Sequence, residues 1–158
     1  MNKTIVGIGV FSVIILIGGV SLMSRNSTTP LPPHQQCISH GGISMHIHPK
    51  LRIEIAGTTF PIPTNIGINP SCMMSLHTHD DSGVIHAEYP TKRDFTLGNF
   101  FSNWGKDFSQ NQIFDNFVDD TRSLSITVDG QPNYDFENLV LKDDQDILIK
   151  YGEKVIPY

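Results

Sequence analysis

FTLGNFFSNWG, residues 95–105, is where the period of this chain changes, and it stands between runs that alternate as strands do. Leu97, Phe100, Phe101 and Trp104 fall at i, i+3, i+4 and i+7, the apolar stripe of a short amphipathic helix. Thr96 is placed to cap its start, and Gly105 stands just past its end. Aromatic residues at this spacing are how a helix docks on a sheet, so they are assigned to the core and not to a ligand site.

The residues before the helix form two alternating blocks. Ile47, Leu51, Ile53 and Ile55 alternate within 46–56, Gly57 breaks the run, and 58–62 resume it before Pro63. That predicts a β-hairpin turning near Gly57. Residues 65–71, with Gly67 and Pro70, read as loop. A second hairpin is expected over 72–89, turning at Asp80-Asp81-Ser82-Gly83. Beyond the helix, 107–122 are polar with Phe108, Ile113, Phe114 and Phe117 interspersed, which suggests a loop with a helical turn. Leu124, Ile126 and Val128 then alternate into Asp129-Gly130, a strong hairpin signal. A short apolar element at 139–141, a turn at Asp143-Asp144 and a closing strand over 146–151 complete the chain. The expected class is α+β. One short helix crosses a mixed sheet, by analogy a β-grasp (ubiquitin-like) domain carrying an inserted His-rich β-hairpin.

Residues 4–24 carry no charge and are mostly Ile, Val, Leu, Phe and Gly. At about 1.5 Å per residue they span a hydrocarbon core of roughly 30 Å. Residues 1–25 are therefore read as an N-terminal transmembrane anchor or signal segment. The length favours an uncleaved anchor, although Gly19 and Ser21 offer a signal-peptidase pattern. Lys3 precedes the apolar stretch and Arg25 follows it, which favours a cytoplasmic N-terminus and a single pass through the cell membrane. Residues 26–36, NSTTPLPPHQQ, suit a Pro-rich tether, and 37–158 are expected to form one extracytoplasmic domain.

The net charge of -5 argues against nucleic acid as a partner. The membrane, and a membrane protein beside it, are the partners the anchor implies. Cys37 and Cys72 fall in the part expected to face an oxidising compartment, so a disulfide is the first reading. Thiolate metal ligands and two free thiols are the alternatives.

Five of the seven histidines lie in two alternating stretches, MHIH at 45–48 and HTHDDSGVIHAE at 77–88. Residues i and i+2 of a strand share a face, so His46 and His48 can point together, as can His77 and His79. Neutral imidazole is the commonest transition-metal ligand, and this clustering makes His46, His48, His77, His79 and His86 the candidate ligands. Whether His86 joins His77 and His79 depends on the turn. A symmetric four-residue connection sets His77 opposite His86 and His79 opposite Val84, whereas a bulge at Gly83 turns His86 to the other face. Copper or zinc is the expected ion, with copper ahead on intrinsic affinity and Met45, Met73 and Met74 offering thioethers.

Glu88 can complete a coordination sphere, orient an imidazole or act as a base; an exposed strand carboxylate is the competing explanation. Asp80, Asp81 and Ser82 are turn formers before they are ligands. His34, in the tether, and His40, beside Gly41-Gly42, are weaker candidates. The plain alternative for all these histidines is that they hold loops by hydrogen bonds to backbone and carboxylates.

The runs MHIHPKLRIEIAG, IPTNIGI, HTHDDSGVIHAEYP, FTLGNFFSNWG, VDGQPN and DILIKYG together resemble a poorly characterised group of membrane-anchored or secreted prokaryotic proteins. The motifs shared are HxH, HTHDxSGxIHxE and FTLGxFFxxWG. The likeness covers nearly the whole domain after the tether, and it implies a domain boundary and a choice of residues without a reaction. A fainter likeness to the metal site of cupins fails on order and spacing, and no oxygenase activity follows from it.

Three functions are then open. The leading one is a membrane-anchored metal-binding protein for acquisition, buffering or delivery. The second is a hydrolase or oxidoreductase with a three-histidine metal and Glu88 moving protons, against which stands the lack of a nucleophile elbow, an HExxH helix or a cofactor fingerprint. The third is a metal-free interaction module that docks by a sheet edge.

Overall fold

The structure, a computed structural model, describes residues 30–39 and 41–154. The apolar N-terminal stretch, the first part of the tether and His40 lie outside the described residues. Among the described residues no helix is long and apolar enough to cross a membrane.

The strands follow in chain order as β1 (Met45–Ile47), β2 (Lys50–Ile55), β3 (Thr58–Phe60), β4 (Ile68–Asn69), β5 (Cys72–Met73), β6 (Leu76–His77) and β7 (His86–Tyr89). Helix α1 (Leu97–Trp104) comes next. After it stand β8 (Phe108–Ser109), β9 (Gln112–Ile113), β10 (Asn116–Phe117), β11 (Arg122–Val128), β12 (Gln131–Asn133) and β13 (Asp146–Glu153).

The main sheet has five strands in the order β12-β11-β13-β2-β3, with β13 and β2 parallel at its centre and antiparallel hairpins on both sides. The two-residue period decides its faces. Leu51 pairs with Ile147 and Ile53 with Ile149, all essentially without solvent exposure. The alternate residues face water and pair by charge: Arg52 to Asp146 at 2.8 Å, Lys150 to Glu54 at 3.0 Å. Both hairpins turn on two residues with positive φ, Ala56-Gly57 and Asp129-Gly130, the backbone that matches the strands' right-handed twist.

Helix α1 lays Leu97, Phe100 and Phe101 into the core. The Thr96 hydroxyl accepts the Asn99 N–H, and the Asn99 side chain accepts the Thr96 N–H, which closes a reciprocal cap. Gly105, left-handed at φ 68°, ends the helix. The helix N-terminus presses so closely on the single helical turn Phe136–Asn138 that a Cβ on Gly98 would stand 2.8 Å from the Glu137 carbonyl oxygen.

Three sequence expectations are corrected. Met45–Ile47 is not the start of the first hairpin: Pro49 interrupts the run, and β1 joins a second sheet, β1-β7-β6. Residues 107–122 form three short antiparallel strands, β8, β9 and β10, in place of a helical turn. The expected loop at 65–71 contains β4, which pairs with β5, so the second hairpin is confined to β6 and β7. At β1 a strand some forty positions away captures the backbone, whereas β4–β5 and β8–β9–β10 pair within a few residues, as strands too short for alternation to announce.

Candidate metal centre

The site is built on the small sheet. Strand β7 is its middle, with β1 on one side and β6 on the other. Register places His46 opposite Glu88 on β1–β7 and His77 opposite His86 on β6–β7. Opposed residues share a face, as do residues two apart, so His46, Glu88, His86 and His77 lie on one side of the sheet. Met45, Leu76 and Ala87 occupy the other side and are buried in the core.

His48 lies just past β1, and the pairing stays in step across it. Met45 faces Tyr89 and, after the break, Lys50 faces Val84. The Pro49 carbonyl accepts the Ile85 N–H at 2.9 Å and the Gly83 carbonyl accepts the Leu51 N–H at 2.8 Å. Gly83 has φ +80°, and a Cβ there would run into the Leu51 carbonyl oxygen. His48 is thereby held edge-on to His86, ring centroids 4.8 Å apart. Its backbone N–H also donates to Asp143 Oδ1 at 2.8 Å, and its ring Nδ1 lies 3.5 Å from the same oxygen. Asp143 was legible in sequence only as a turn former; nothing in its spacing relates it to the histidines.

His79 reaches the face from beyond β6. The connection from Thr78 to Ile85 is wider than a symmetric turn, because Thr78 is tied to Pro63 and Ile66 and Val84 pairs with Lys50 rather than His79. The part of the register that matters nonetheless follows the symmetric alternative, with His77 facing His86. Asp80 accepts the Ser82 N–H at 2.9 Å, so it acts as a turn former.

The five imidazoles form two groups of three, His46–His48–His86 and His77–His79–His86, each with one potential ligand atom per residue within 4.8 Å of the others. His77 Nε2 and His79 Nε2 are 3.2 Å apart, and His46 Nε2 and His86 Nδ1 are 3.4 Å apart. His77 is fully buried, His86 half-buried, and His46 and His79 are exposed, so the site opens from core to solvent.

Protonation favours ligation. The His77 Nδ1–H donates to the Met74 carbonyl at 2.9 Å, which leaves the Nε2 lone pair facing His79. Burial lowers the His77 pKa from 6.5 to about 4, only partly opposed by the Met74 hydrogen bond and the Glu88 charge. Burial, and then the neighbouring imidazoles His79, His48 and His46, lower that of His86. Both rings are neutral at pH 7.

Glu88 is 2% exposed, which disposes of the exposed-carboxylate explanation. Its Oε1 lies 2.9 Å from His46 Nε2 and 4.0 Å from His86 Nδ1. Met45, a thioether candidate by sequence, is in the core, its sulfur accepting the Arg93 N–H. Cys37 and Cys72 form a disulfide, so neither is a thiolate ligand. The bridge anchors β5, and the chain around it is docked. Ile38 N–H donates to the Met73 carbonyl, Ser75 N–H to the Gln36 carbonyl, and the Tyr89 hydroxyl to the Gln36 side chain. His34, whose carbonyl accepts from Asn103, belongs to that docking and not to the histidine face.

Comparison with protein-family models, with curated proteins and with solved structures finds no match to this chain.

Proposed function

We propose that this protein binds a first-row transition-metal ion, zinc or copper, on its histidine face, and that it serves metal acquisition, buffering or delivery at the outer side of a membrane. The observation that carries this is the pair of histidine triads with ligand atoms within 4.8 Å. Structural hydrogen bonding alone gives no reason to gather five imidazoles on one face and to keep two of them neutral by burial. The nitrogen separations of 3.2 and 3.4 Å suit the edge of a tetrahedron with bonds of about 2.0–2.1 Å, which is about 3.3 Å, better than the shorter edge of a square plane. That favours zinc or reduced copper over Cu(II) in a plane.

The disulfide supports an oxidising compartment, and the uncharged stretch at 4–24 supports an anchor. The central parallel pair flanked by two hairpins, with the helix between them in the chain, supports a β-grasp-like reading of the main sheet, with the histidine sheet as the insertion. Membership of the group sharing the HTHDxSGxIHxE motif is part of the same proposal. Metal analysis of the purified full chain, after exposure to Zn²⁺ or Cu(II) and desalting, tests the function. Stoichiometric metal is expected; none retained overturns it.

The buried carboxylate of Glu88 beside His46 favours a second reading, a hydrolytic site in which Glu88 takes a proton from water at the open face. Hydrolysis of an activated ester by the zinc-loaded chain, lost in Glu88→Gln with the metal retained, is its signature.

A further inference from the structure

Five imidazoles are one more than a four-coordinate ion takes. The ring contacts sort them. His46 and His48 form one pair with centroids 4.4 Å apart, His77 and His79 another at 4.7 Å. His86 stands between the pairs, its centroid 5.7 and 4.8 Å from the rings of the first and 5.3 and 4.5 Å from those of the second. This follows from topology: His86 is on the central strand, and each neighbouring strand brings one histidine to its side, with the second of the pair just beyond the strand's end.

An imidazole has two nitrogens whose lone pairs diverge in the ring plane. His86 Nδ1 faces the first pair, 3.4 Å from His46 Nε2, with Glu88 Oε1 at 4.0 Å. Its other nitrogen, Nε2, is then the one left for an ion held by His77 and His79. We infer that the face is a two-metal centre in which one ion binds His46, His48, Glu88 and His86 Nδ1, a second binds His77, His79 and His86 Nε2, and the His86 ring bridges them.

The bridge has a definite proton balance. Neutral His86 carries one N–H; when both nitrogens donate lone pairs to metal, that proton leaves to solvent and the ring becomes an imidazolate. Its negative charge, with that of Glu88, offsets part of the charge of two divalent ions placed close together. A shared ring also couples the sites: the ion bound first orients His86 for the second, and removal of either pair leaves a mononuclear site.

This inference rests on the metal-binding reading, and the test separates the two. The full chain is titrated with Cu(II), and bound copper is counted beside the double-integrated electron paramagnetic resonance intensity. The expected result is two equivalents per chain with intensity well below that of two isolated Cu(II) ions, because exchange across the imidazolate pairs the spins. Two equivalents at full intensity overturn the bridge. One equivalent overturns the second site and leaves the metal-binding function standing. No bound copper, with no Zn²⁺ retained in a parallel titration, overturns both; Zn²⁺ retained without copper overturns the bridged copper pair and leaves the metal-binding function standing. The double variant His46→Ala, His48→Ala removes the outer pair, whose rings lie at the surface, and spares the buried His77. It is expected to keep one equivalent at full intensity, and retention of two coupled equivalents overturns the assignment.

Discussion

His77 stands opposite His86 across the β6–β7 pair, while Glu88, two residues further along β7, stands opposite His46 on β1. One strand thus carries the residues that relate both histidine pairs. The ring of His86 is common to both triads.

His86→Ala is expected to weaken metal binding at both triads, by at least about tenfold, whereas His48→Ala weakens one and spares the other. Competition with a chromophoric chelator measures this, and equal affinity in His86→Ala and the parent chain would refute it.

Glu88→Gln keeps the shape of a buried side chain and removes its charge. Metal affinity is expected to fall by about 10- to 100-fold, the usual cost of losing a carboxylate that ligates or orients an imidazole. Circular dichroism should stay unchanged, which separates the loss from unfolding.

The buried imidazole of His77 makes the metal-free fold sensitive to acid. Its pKa is about 4 in the folded chain against 6.5 for a freely solvated ring, so below pH 6.5 the unfolded chain binds more protons than the folded one. Stability from this group is full above pH 6.5 and falls as pH drops toward 4, by at most about 3 kcal/mol. Denaturant midpoints of the chelator-treated chain between pH 7 and 4 should decline, and His77→Gln should flatten that decline.

The Cys37–Cys72 bridge spans 35 residues, for which the loss of chain entropy in the unfolded state amounts to about 4 kcal/mol. Reduction, or Cys37→Ser with Cys72→Ser, is expected to lower unfolding free energy by up to that amount. Metal affinity should change less, since β6 and β7 keep their own pairing.

Gly98→Ala sets two effects against each other. Helix propensity alone would stabilise α1 by about 1 kcal/mol. The new Cβ, however, would meet the Glu137 backbone oxygen at 2.8 Å, an atom that cannot swing aside, and overpacking costs about 1–3 kcal/mol. A lower melting temperature is the expected outcome.

Local pattern was enough for α1. Its apolar spacing, Thr96 and Gly105 each act within a few residues, so the helix and its caps are legible before any fold is known. The same holds for the turns at Ala56-Gly57 and Asp129-Gly130, where backbone twist demands residues that tolerate positive φ. It fails at β1, because alternation runs on from Ile47 to Leu51 while Pro49 and a distant partner divide them between sheets. It fails again at β8, β9 and β10, two-residue strands too short to carry a period.

The candidate ligands were legible in the chain alone, since two HxH pairs place imidazoles at the two-residue spacing that sends neighbours to one face. Tertiary structure alone decided that they converge. His46 and His86 are 40 positions apart, and their 3.4 Å approach depends on β7 pairing with both β1 and β6. The proximity of Asp143 to His48, and the burial of Glu88 beside His46, likewise arise from packing between distant segments, where no periodicity in the chain can announce them.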